Sequence, residues 1–463
     1  MLDKTKKIHF IGIGGAGMSG LAGILLEAGF QVSGSDMKES RIIERLREQG
    51  AVVRFVHGEE NLGDADLVVF SSAIPLSNPE LRTARERGIH LLSRGEMLAE
   101  LMKEKKGIAI AGTHGKTTTT SMAALILCEA DLDPTMIIGG EVNDMGGSAK
   151  LGRGEYLVAE ADESDGSFLK LFPELAVVTN IEADHLDYYS SLEAVVDAFG
   201  KFVKNISPGG VLILCSDCPN ARKMLEKSEP GVEILTYGLG EEADLSVKHL
   251  NMEKSGSRYE VFYYGRRLGE VKLQVPGKHN VRNSLAAIGV GLKVGTDFSK
   301  VRSCLERFPG VQRRFEIKGD LKDIIVVDDY AHHPTEIRAT LEAALSKKKE
   351  RIIAVFQPHR YSRTKFLKEE FAAAVQGTDF LVLTEIYSAG EECLPGISGR
   401  DIFEAVRRKG QKEVKFISDK SRIADYLMSI LRPGDMVITM GAGDIGTVAE
   451  EIVERLKVGK MKS

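Results

Sequence analysis

The chain has 463 residues and carries 62 lysine and arginine residues against 67 aspartate and glutamate residues, a net charge of −5. That length exceeds one hydrophobic core and predicts about three domains of roughly 150 residues each. The mixed, slightly acidic charge offers no basic surface for nucleic acid, and no apolar run is long enough for membrane insertion, so both of these function classes are excluded.

The first predicted unit consists of a strand, a glycine loop and a helix. The N-terminus leads without a signal peptide into a strand at residues 8–11, which predicts a cytoplasmic protein. The loop at residues 12–17 fits the pattern G-x-G-x-x-G, and Asp36 ends the next predicted strand. Glycines in such a loop let the backbone approach a pyrophosphate, while the acid holds a ribose hydroxyl. NAD and UDP both satisfy this pattern, so the motif alone leaves the choice open.

A second glycine loop, G-T-H-G-K-T at residues 112–117, follows an apolar strand and precedes a helix. It is a shortened phosphate-binding loop. The backbone N–H groups of such a loop point at one place, beside the positive end of the helix dipole. Lys116 can then reach the outer phosphates, and the Thr117 hydroxyl can ligate Mg²⁺. The sequence therefore predicts an ATP site at this loop.

Two acidic segments come directly after predicted strands. Glu160 ends a strand at residues 156–160, and His185 follows a strand at residues 176–180. Because both strands are expected to be parallel to the phosphate-loop strand, both segments emerge at the same edge of the sheet. A hard cation that bridges phosphates prefers hydroxyl and carboxylate oxygens, and a neutral imidazole can complete the set. Thr117, Glu160 and His185 are therefore the predicted Mg²⁺ ligands.

A polar segment at residues 276–284 follows a β-rich insert and opens an apolar helix. Asn280 and Asn283 lie on one face of this helix near its start. Amide side chains in that position can read the edge of a base or order the groups around a phosphate. A simple helix cap is the alternative interpretation.

The last predicted unit is again α/β, with its first two strands at residues 324–329 and 352–356. Histidine and arginine side chains follow both strands, at residues 328–336 and 357–364. Such side chains gathered at one sheet edge can bind an anionic substrate and a transferred phosphoryl group. Solvated loop charge is the alternative. Arg314 stands at the junction before this unit, from where it could reach a γ-phosphate.

Taken together, these motifs resemble the Mur ligase family, and the resemblance covers essentially the whole chain. It implies an α/β fold of three domains. These are a UDP-sugar-binding Rossmann-like domain at residues 1–106, a central P-loop ATPase domain at 107–313 and a C-terminal Rossmann-like domain at 314–463. The motifs that carry it are GIGGAGMSG at 12–20, GTHGKT at 112–117, EADESD at 160–165, TNIEADH at 179–185, GKHN at 277–280, DDYAHHP at 328–334 and HRYSRT at 359–364.

The resemblance also implies a role for each matching residue. Lys116, His185, Arg314 and His332 would be the catalytic residues, with His332 as the base for the amine, and Mg²⁺ would lie on Thr117, Glu160 and His185. ATP would be bound by Gly112, Thr113, His114, Gly115, Lys116, Thr117, Thr118, Asn280, Asn283 and Arg314. The UDP-sugar and amino-acid substrates would be bound by Gly14, Gly15, Ala16, Gly17, Met18, Ser19, Asp36, His57, Ser71, Ser72, Tyr330, His332, His359, Arg360 and Arg363.

The implied reaction joins L-alanine to the lactyl carboxylate of UDP-N-acetylmuramate at the expense of ATP. The carboxylate attacks the γ-phosphate, and the amine of L-alanine then attacks the resulting acyl phosphate. Such chemistry needs positioning, charge neutralisation and exclusion of water. A ligase that attaches a recycled tripeptide to the same UDP-sugar is the nearest alternative, and Met18-Ser19-Gly20 with Ser164-Asp165 favours the alanine ligase over it. An NAD-dependent oxidoreductase and an ATP-driven switch are the alternatives from other classes.

Overall fold

Three β-sheets follow one another along the chain in a computed structural model that describes residues 6–142, 147–253, 256–347 and 349–458. The side chain of Ala16, a predicted substrate-binding residue, lies outside the described set. Each sheet is mostly parallel and is flanked by helices, so the predicted three-domain α/β fold is confirmed. Within the described ranges, no helix combines the length and apolarity that crossing a bilayer requires.

The first sheet has five parallel strands in the order β3-β2-β1-β4-β5. The strand order reverses at β1, and the first glycine loop begins directly after this strand, where open α/β sheets bind their ligands. The strands are β1 Lys7–Ile11, β2 Gln31–Asp36, β3 Val52–Phe55, β4 Leu67–Phe70 and β5 His90–Ser93, and the helices are α1 Ala16–Glu27, α2 Arg41–Glu48, α3 Pro79–Glu86 and α4 Arg94–Lys103.

The second sheet has ten strands in the order β15-β14-β13-β12-β11-β10-β6-β9-β7-β8. Its strands are β6 Lys106–Ala111, β7 Thr135–Val142, β8 Gly147–Lys150, β9 Tyr156–Glu160, β10 Leu175–Val178, β11 Val211–Cys215, β12 Glu233–Tyr237, β13 Leu245–Glu253, β14 Gly256–Tyr263 and β15 Arg266–Leu273. Its helices are α5 Lys116–Glu129, α6 Leu186–Tyr189, α7 Leu192–Lys204, α8 Pro219–Arg222, α9 Lys278–Lys293 and α10 Phe298–Arg307.

The third sheet has six strands in the order β16-β17-β21-β18-β19-β20, and β16 is its one antiparallel strand within the described residues. Its strands are β16 Glu316–Leu321, β17 Ile324–Asp329, β18 Arg351–Phe356, β19 Phe380–Leu383, β20 Val414–Phe416 and β21 Asp435–Met440. Its helices are α11 Pro334–Ser346, α12 Tyr361–Ala374, α13 Gly399–Arg408, α14 Ile423–Met428 and α15 Gly446–Val458.

The register of the central sheet places the predicted site. β6 lies between β10 and β9 and is parallel to both, so the segments that follow these three strands emerge side by side. These segments are the phosphate loop, residues 161–165 and residues 179–185. The sequence did not predict β3 and β5, because both are only four residues long and have several exposed or half-exposed side chains instead of a buried apolar run.

Candidate active site

The phosphate loop requires glycine at two of its positions. Gly112 has φ +138°, and a Cβ there would lie 1.9 Å from the Thr179 hydroxyl oxygen. Gly115 has φ +82°, and a Cβ there would lie 2.5 Å from Oδ1 of Asn283. Backbone conformations of this kind disfavour side chains, and both approaches are closer than any Cβ tolerates. The loop therefore holds a backbone shape that other residues cannot adopt, directly before the first turn of α5.

The segment after β10, at residues 179–182, holds the phosphate loop in place through hydrogen bonds. The Asn180 side chain accepts a hydrogen bond from the His114 N–H (2.9 Å) and donates one to the His114 carbonyl (2.9 Å). The Thr179 hydroxyl donates to the same carbonyl (2.6 Å), and Thr113 Oγ1 accepts from the Glu182 N–H (2.9 Å). The motif TNIEADH thus positions the phosphate loop through its first four residues.

Lys116 is partly buried, with 15% of its side chain exposed, and is paired with a carboxylate. Its ammonium donates to both oxygens of Glu163 (2.7 and 2.8 Å) and to the Gly112 carbonyl (2.6 Å). Burial alone would lower the pKa of Lys116, but the charges of Glu163 and Asp162 outweigh it and raise that pKa. Burial raises the pKa of the Glu163 carboxyl to about 7, and Lys116 opposes this shift. Lys116 therefore stays a cation, and its hydrogen bond to the Gly112 carbonyl holds it against the phosphate loop.

The three predicted metal ligands have the donor properties that a divalent cation needs. The Glu160 carboxylate accepts a hydrogen bond from the Gly139 N–H (2.7 Å) and interacts with the Thr117 hydroxyl. His185 begins α6 with φ +53°, and burial lowers the pKa of its imidazole, which therefore stays neutral. Burial also raises the pKa of Glu160, as expected for a carboxylate without a full cationic partner. A hydroxyl, a carboxylate and a neutral imidazole fit a hard cation at the phosphate loop.

A cavity of about 330 Å³ opens beside the phosphate loop, between the central and C-terminal sheets. His114, Gly115 and Thr118 form part of its wall, and Arg314 faces them. Its other lining residues are Thr179, Asn180, Glu182, Cys215, Asp217, Cys218, Pro219, Tyr237, His279, Asn280, Arg282, Asn283, Asp329, Thr335, Glu336, Ala339 and Thr340.

Asn280 and Asn283 line this cavity but bond mainly to the protein itself. The Asn280 amide donates to the Pro276 carbonyl (2.7 Å) and accepts from the Asn283 amide (3.2 Å). Both side chains are more than nine-tenths buried, and Asn283 Oδ1 lies against Gly115. The pair therefore connects the start of α9 to the phosphate loop, and its predicted contact with ATP stays a prediction.

The predicted histidine cluster of the C-terminal domain is assembled in the structure. The rings of His332 and His359 lie 5.6 Å apart, and Tyr330 contacts His332 edge-on at 5.3 Å. His332 Nδ1 lies 2.9 Å from the Tyr330 carbonyl, to which it donates when protonated there. Burial lowers the pKa of His332 to about 4. The imidazole is therefore neutral at pH 7 but is a weaker base than an ordinary histidine.

The two predicted substrate-binding arginines make ion pairs between domains. The buried Arg363 guanidinium donates to both oxygens of the buried Asp184 (2.9 and 3.2 Å). Arg360 pairs with Asp187 at 3.3 Å in a half-exposed contact. The Arg363 charge holds the pKa of Asp184 well below its usual range, although burial opposes it. Arg363 thus docks the C-terminal domain on the segment that also braces the phosphate loop.

A second group of charges lies at the same domain boundary. His114 lies 3.5 Å from Glu182 and 3.4 Å from Glu336, and its ring contacts His333 at 4.7 Å. Burial opposes protonation of His114, but the two carboxylates raise its pKa to about 9. Donor atoms of His114, Glu182 and His333 lie within 4.8 Å of one another. A protonated imidazole is a poor metal ligand, so this group is an ionic contact between domains.

The N-terminal glycine loop is organised by the acid predicted to bind ribose. Asp36 Oδ2 accepts a hydrogen bond from the Gly14 N–H (2.8 Å), so the carboxylate lies against the loop itself. Met18 and Ser19 are buried in α1, and the Ser19 N–H donates to the Gly15 carbonyl (2.8 Å), so their predicted contact with the UDP-sugar stays a prediction. His57 is half-buried, Ser72 is exposed, and Ser71 Oγ accepts from the Ala73 N–H (3.3 Å).

Arg94 connects the two glycine loops and was not predicted from the sequence. A Cβ on Gly17 would lie 3.0 Å from Arg94 Cδ, and the Arg94 guanidinium donates to Asp162 at 3.0 Å. Asp162 in turn acts electrostatically on Lys116. Glu163, Asp184 and Glu336 were not predicted as site residues either, although all three lie inside or beside the motifs named above.

Family models match the chain in three consecutive parts. Residues 7–106 match "Mur ligase family, catalytic domain", residues 110–291 match "Mur ligase middle domain", and residues 313–443 match "Mur ligase, glutamate ligase domain". These matches cover most of the chain, with one model falling on each of the three sheets.

Similar proteins share this whole length. The UDP-N-acetylmuramate–L-alanine ligase of Pelotomaculum thermopropionicum is 49% identical, over 98% of this chain and 99% of that protein. The solved UDP-N-acetylmuramate-alanine ligase MurC of Thermotoga maritima is 32% identical, with a TM-score of 0.82 over 98% of this chain and 100% of that one. A murein peptide ligase of Psychrobacter arcticus is 26% identical, with a TM-score of 0.73 over 98% and 99%.

We predict that Asp184→Asn loosens the docking of the C-terminal domain. Removing one partner of a buried ion pair leaves the other charge uncompensated and typically costs about 3–5 kcal/mol. Hydrogen–deuterium exchange of the loops at residues 182–187 and 359–364 should therefore accelerate. Asp187→Asn is the matched control, because it breaks only the half-exposed pair, whose value is about 1 kcal/mol or less. Equal exchange in the two variants would contradict the docking role of Arg363.

Proposed function

This chain belongs to the Mur ligase family, and we propose that it uses ATP to join L-alanine to the lactyl carboxylate of UDP-N-acetylmuramate, releasing ADP and phosphate. The full-length similarity to ligases of that name supports the substrate assignment. One structural observation carries the proposal. Arg94 contacts the N-terminal glycine loop at Gly17 and pairs with Asp162 beside Lys116, so a nucleotide-sugar site and an ATP site adjoin each other.

We assign the three sheets to domains at residues 1–106, 107–313 and 314–463, one for each binding task. The first would hold the UDP-sugar, the second ATP, and the third would close over both and complete the amino-acid site. All five cysteines lie in the described ranges and are free thiols, which agrees with a cytoplasmic enzyme of peptidoglycan precursor synthesis.

The first chemical step is phosphoryl transfer to a carboxylate. The lactyl carboxylate oxygen forms a bond to the γ-phosphorus, the bond between that phosphorus and the β–γ bridging oxygen breaks, and ADP leaves. Loop N–H groups, Lys116 and Arg314 neutralise the charge that spreads over the transferred group. The triphosphate would replace Glu163 as the counter-ion of Lys116. A Mg²⁺ ion on Thr117, Glu160 and His185 would supply charge neutralisation and fix the phosphate oxygens when bound.

The second step forms the amide. The neutral amine of L-alanine attacks the carbonyl carbon of the acyl phosphate, and the tetrahedral intermediate then expels phosphate. We propose that Nε2 of His332 takes the proton from the nitrogen after attack, when that nitrogen is more acidic than the free ammonium. A base with a pKa near 4 suits this later transfer better than removal of the first proton from the amino acid. Tyr330, His359 and Arg360 would surround the reacting carboxyl end.

The proposed function predicts sustained release of ADP, beyond one equivalent per enzyme, only when UDP-N-acetylmuramate and L-alanine are both present. We expect ADP formation with ATP, Mg²⁺, UDP-N-acetylmuramate and L-alanine, and a product that is larger by one alanine in a mass spectrum. The tripeptide L-alanyl-γ-D-glutamyl-meso-diaminopimelate, supplied in place of L-alanine, tests the alternative of a murein peptide ligase. Addition of NAD in a thermal-shift assay tests the alternative of an NAD-dependent oxidoreductase. A faster reaction with the tripeptide, or stabilisation by NAD but not by the UDP-sugar, would contradict the proposal.

The metal assignment predicts a change in Mg²⁺ dependence. Glu160→Gln removes a charged ligand and His185→Ala removes an imidazole, so each variant should need a higher Mg²⁺ concentration for half-maximal rate. Titration of the rate with Mg²⁺ measures this shift. Glu155→Gln is the control, because Glu155 lies just before β9 but is exposed and pairs with Lys106. Titration curves that overlay the parent for both site variants would mean that these residues are structural.

A further inference from the structure

A buried carboxylate lies beneath the N-terminal glycine loop, outside all the residues assigned above. Glu80 on α3 is fully buried and accepts four hydrogen bonds. The donors are the Ser35 hydroxyl (2.6 Å), the Asn61 amide (2.6 Å), the Gly58 N–H (3.1 Å) and Nε2 of His9 (3.1 Å). These bonds overcome the effect of burial and hold the pKa of Glu80 at about 2, so the group is an ionised acceptor at neutral pH.

The charge of Glu80 fixes the direction of the hydrogen bonds around Ser35. A serine hydroxyl has one proton, and Ser35 donates it to Glu80, which has none to give in return. Ser35 Oγ also lies 2.9 Å from Nδ1 of His57, and Oε1 of Glu80 lies 3.5 Å from the same nitrogen. In its contact with His57, Ser35 has to be the acceptor, so His57 carries a proton on Nδ1. A neutral His57 therefore leaves Nε2 as a hydrogen-bond acceptor.

The position of His57 places that acceptor at the ligand edge of the sheet. Ser35 and Asp36 end β2 and anchor the glycine loop, since the Gly12 N–H donates to the Ser35 carbonyl (2.9 Å) and the Gly14 N–H to Asp36 (2.8 Å). His57 follows β3, the strand next to β2, and its side chain is 14% exposed. His57 thus has one ring nitrogen held by Ser35, in a side chain that stays partly exposed.

A strained turn holds His57 in this orientation. Val56 has φ +70°, a conformation that a β-branched residue adopts only when its surroundings impose it. The Asn61 amide donates to the Val56 carbonyl (2.9 Å) and to Glu80 (2.6 Å). Glu80 therefore supports both the hydroxyl that orients the imidazole and the amide that holds the turn before it.

We propose that Glu80 is a positioning residue that keeps His57 in the Nδ1-protonated tautomer, both through Ser35 and across its own 3.5 Å contact with Nδ1, so that Nε2 accepts a hydrogen bond from the imide N–H of a uracil base. This inference rests on the proposed function, which supplies a uridine nucleotide as the ligand of this domain. The tautomer selects uracil over cytosine. Uracil N3 carries a hydrogen, whereas cytosine N3 is a lone pair that would face the lone pair of Nε2.

The hydrogen bonds from Glu80 through Ser35 to His57 form a relay. The test uses the full-length enzyme and two variants that interrupt this relay at different points. Ser35→Ala removes the hydroxyl between Glu80 and His57, while Glu80→Gln keeps the shape but can turn an N–H₂ toward Ser35. Glu59→Gln is the matched control, because Glu59 lies in the same region but pairs with Arg82 in an exposed contact. Ser35→Ala leaves Glu80 bonded to His9 and Asn61, so it tests the relay even where Glu80→Gln impairs folding.

Two readouts separate positioning from a general loss of structure. The ¹⁵N NMR signals of His57, recorded without ligand along a pH titration, report the tautomer of the neutral ring directly. Calorimetric titration with UDP and with CDP reports the base preference. We expect the parent and Glu59→Gln to carry the proton on Nδ1 and to prefer UDP by about tenfold or more, the value of one directional hydrogen bond. In Ser35→Ala and Glu80→Gln the signals should show mixed tautomers and the preference should shrink.

The kinetic expectation is equally specific. The KM for UDP-N-acetylmuramate should rise in both relay variants, while the KM for ATP and kcat stay near the parental values. A proton on Nε2 in the parent, or an unchanged UDP preference in both Ser35→Ala and Glu80→Gln with the fold intact, would overturn the inference. Failure of the parent to bind UDP would instead overturn the proposed function, which the ligand-free tautomer measurement does not depend on.

Discussion

The buried ion pair between Asp184 and Arg363 determines where the reacting groups of this enzyme lie. Asp184 belongs to a short segment whose first residues, Thr179 and Asn180, brace the phosphate loop. Arg363 belongs to the C-terminal domain and stands four residues after His359, whose Nδ1 accepts from the same guanidinium at 3.1 Å. The segment that contains Thr179, Asn180 and Asp184 thus contacts the phosphate loop of the ATP site and, through Arg363, the histidine cluster of the C-terminal domain. A shift of the Asp184–Arg363 contact would therefore move the phosphate loop and the histidine cluster relative to each other.

The electrostatics of the site favour the binding of cations. Glu160, Asp162 and Glu163 lie within one short motif, and Lys116 is the cation among them. Burial raises the pKa of Glu160 and of Glu163, so these two carboxylates are only partly neutralised, whereas Arg94 and Lys116 overcome burial and lower the pKa of Asp162. Arg94 and Arg314 approach from the two flanking domains and add positive charge. Substrate phosphates and a divalent cation would complete this balance, to which each flanking domain contributes one arginine.

The sequence predicted the parts of this structure that depend on local pattern. The strand-loop-helix units around Gly12 and Gly112, the metal-type donors at strand ends, and the two histidine segments all follow from residue type and parallel-sheet topology. The pairings across domains could not be predicted in this way. Arg360 and Arg363 were assigned to substrate because two arginines at a sheet edge suit an anion, but their partners Asp187 and Asp184 belong to another domain. Glu80 gave no signal, since one acid at the start of a surface helix is ordinary until its burial is known.

The central claim is that the carboxylate of the sugar nucleotide is phosphorylated before the amide forms, and isotope transfer tests this most directly. UDP-N-acetylmuramate labelled with ¹⁸O in its lactyl carboxylate is ligated to L-alanine with unlabelled ATP, and the released phosphate is analysed by mass spectrometry. Attack of the carboxylate on the γ-phosphate predicts that one ¹⁸O atom appears in each phosphate, because the amine displaces that oxygen together with phosphorus. Phosphate without ¹⁸O, released alongside the alanyl product, would contradict this account.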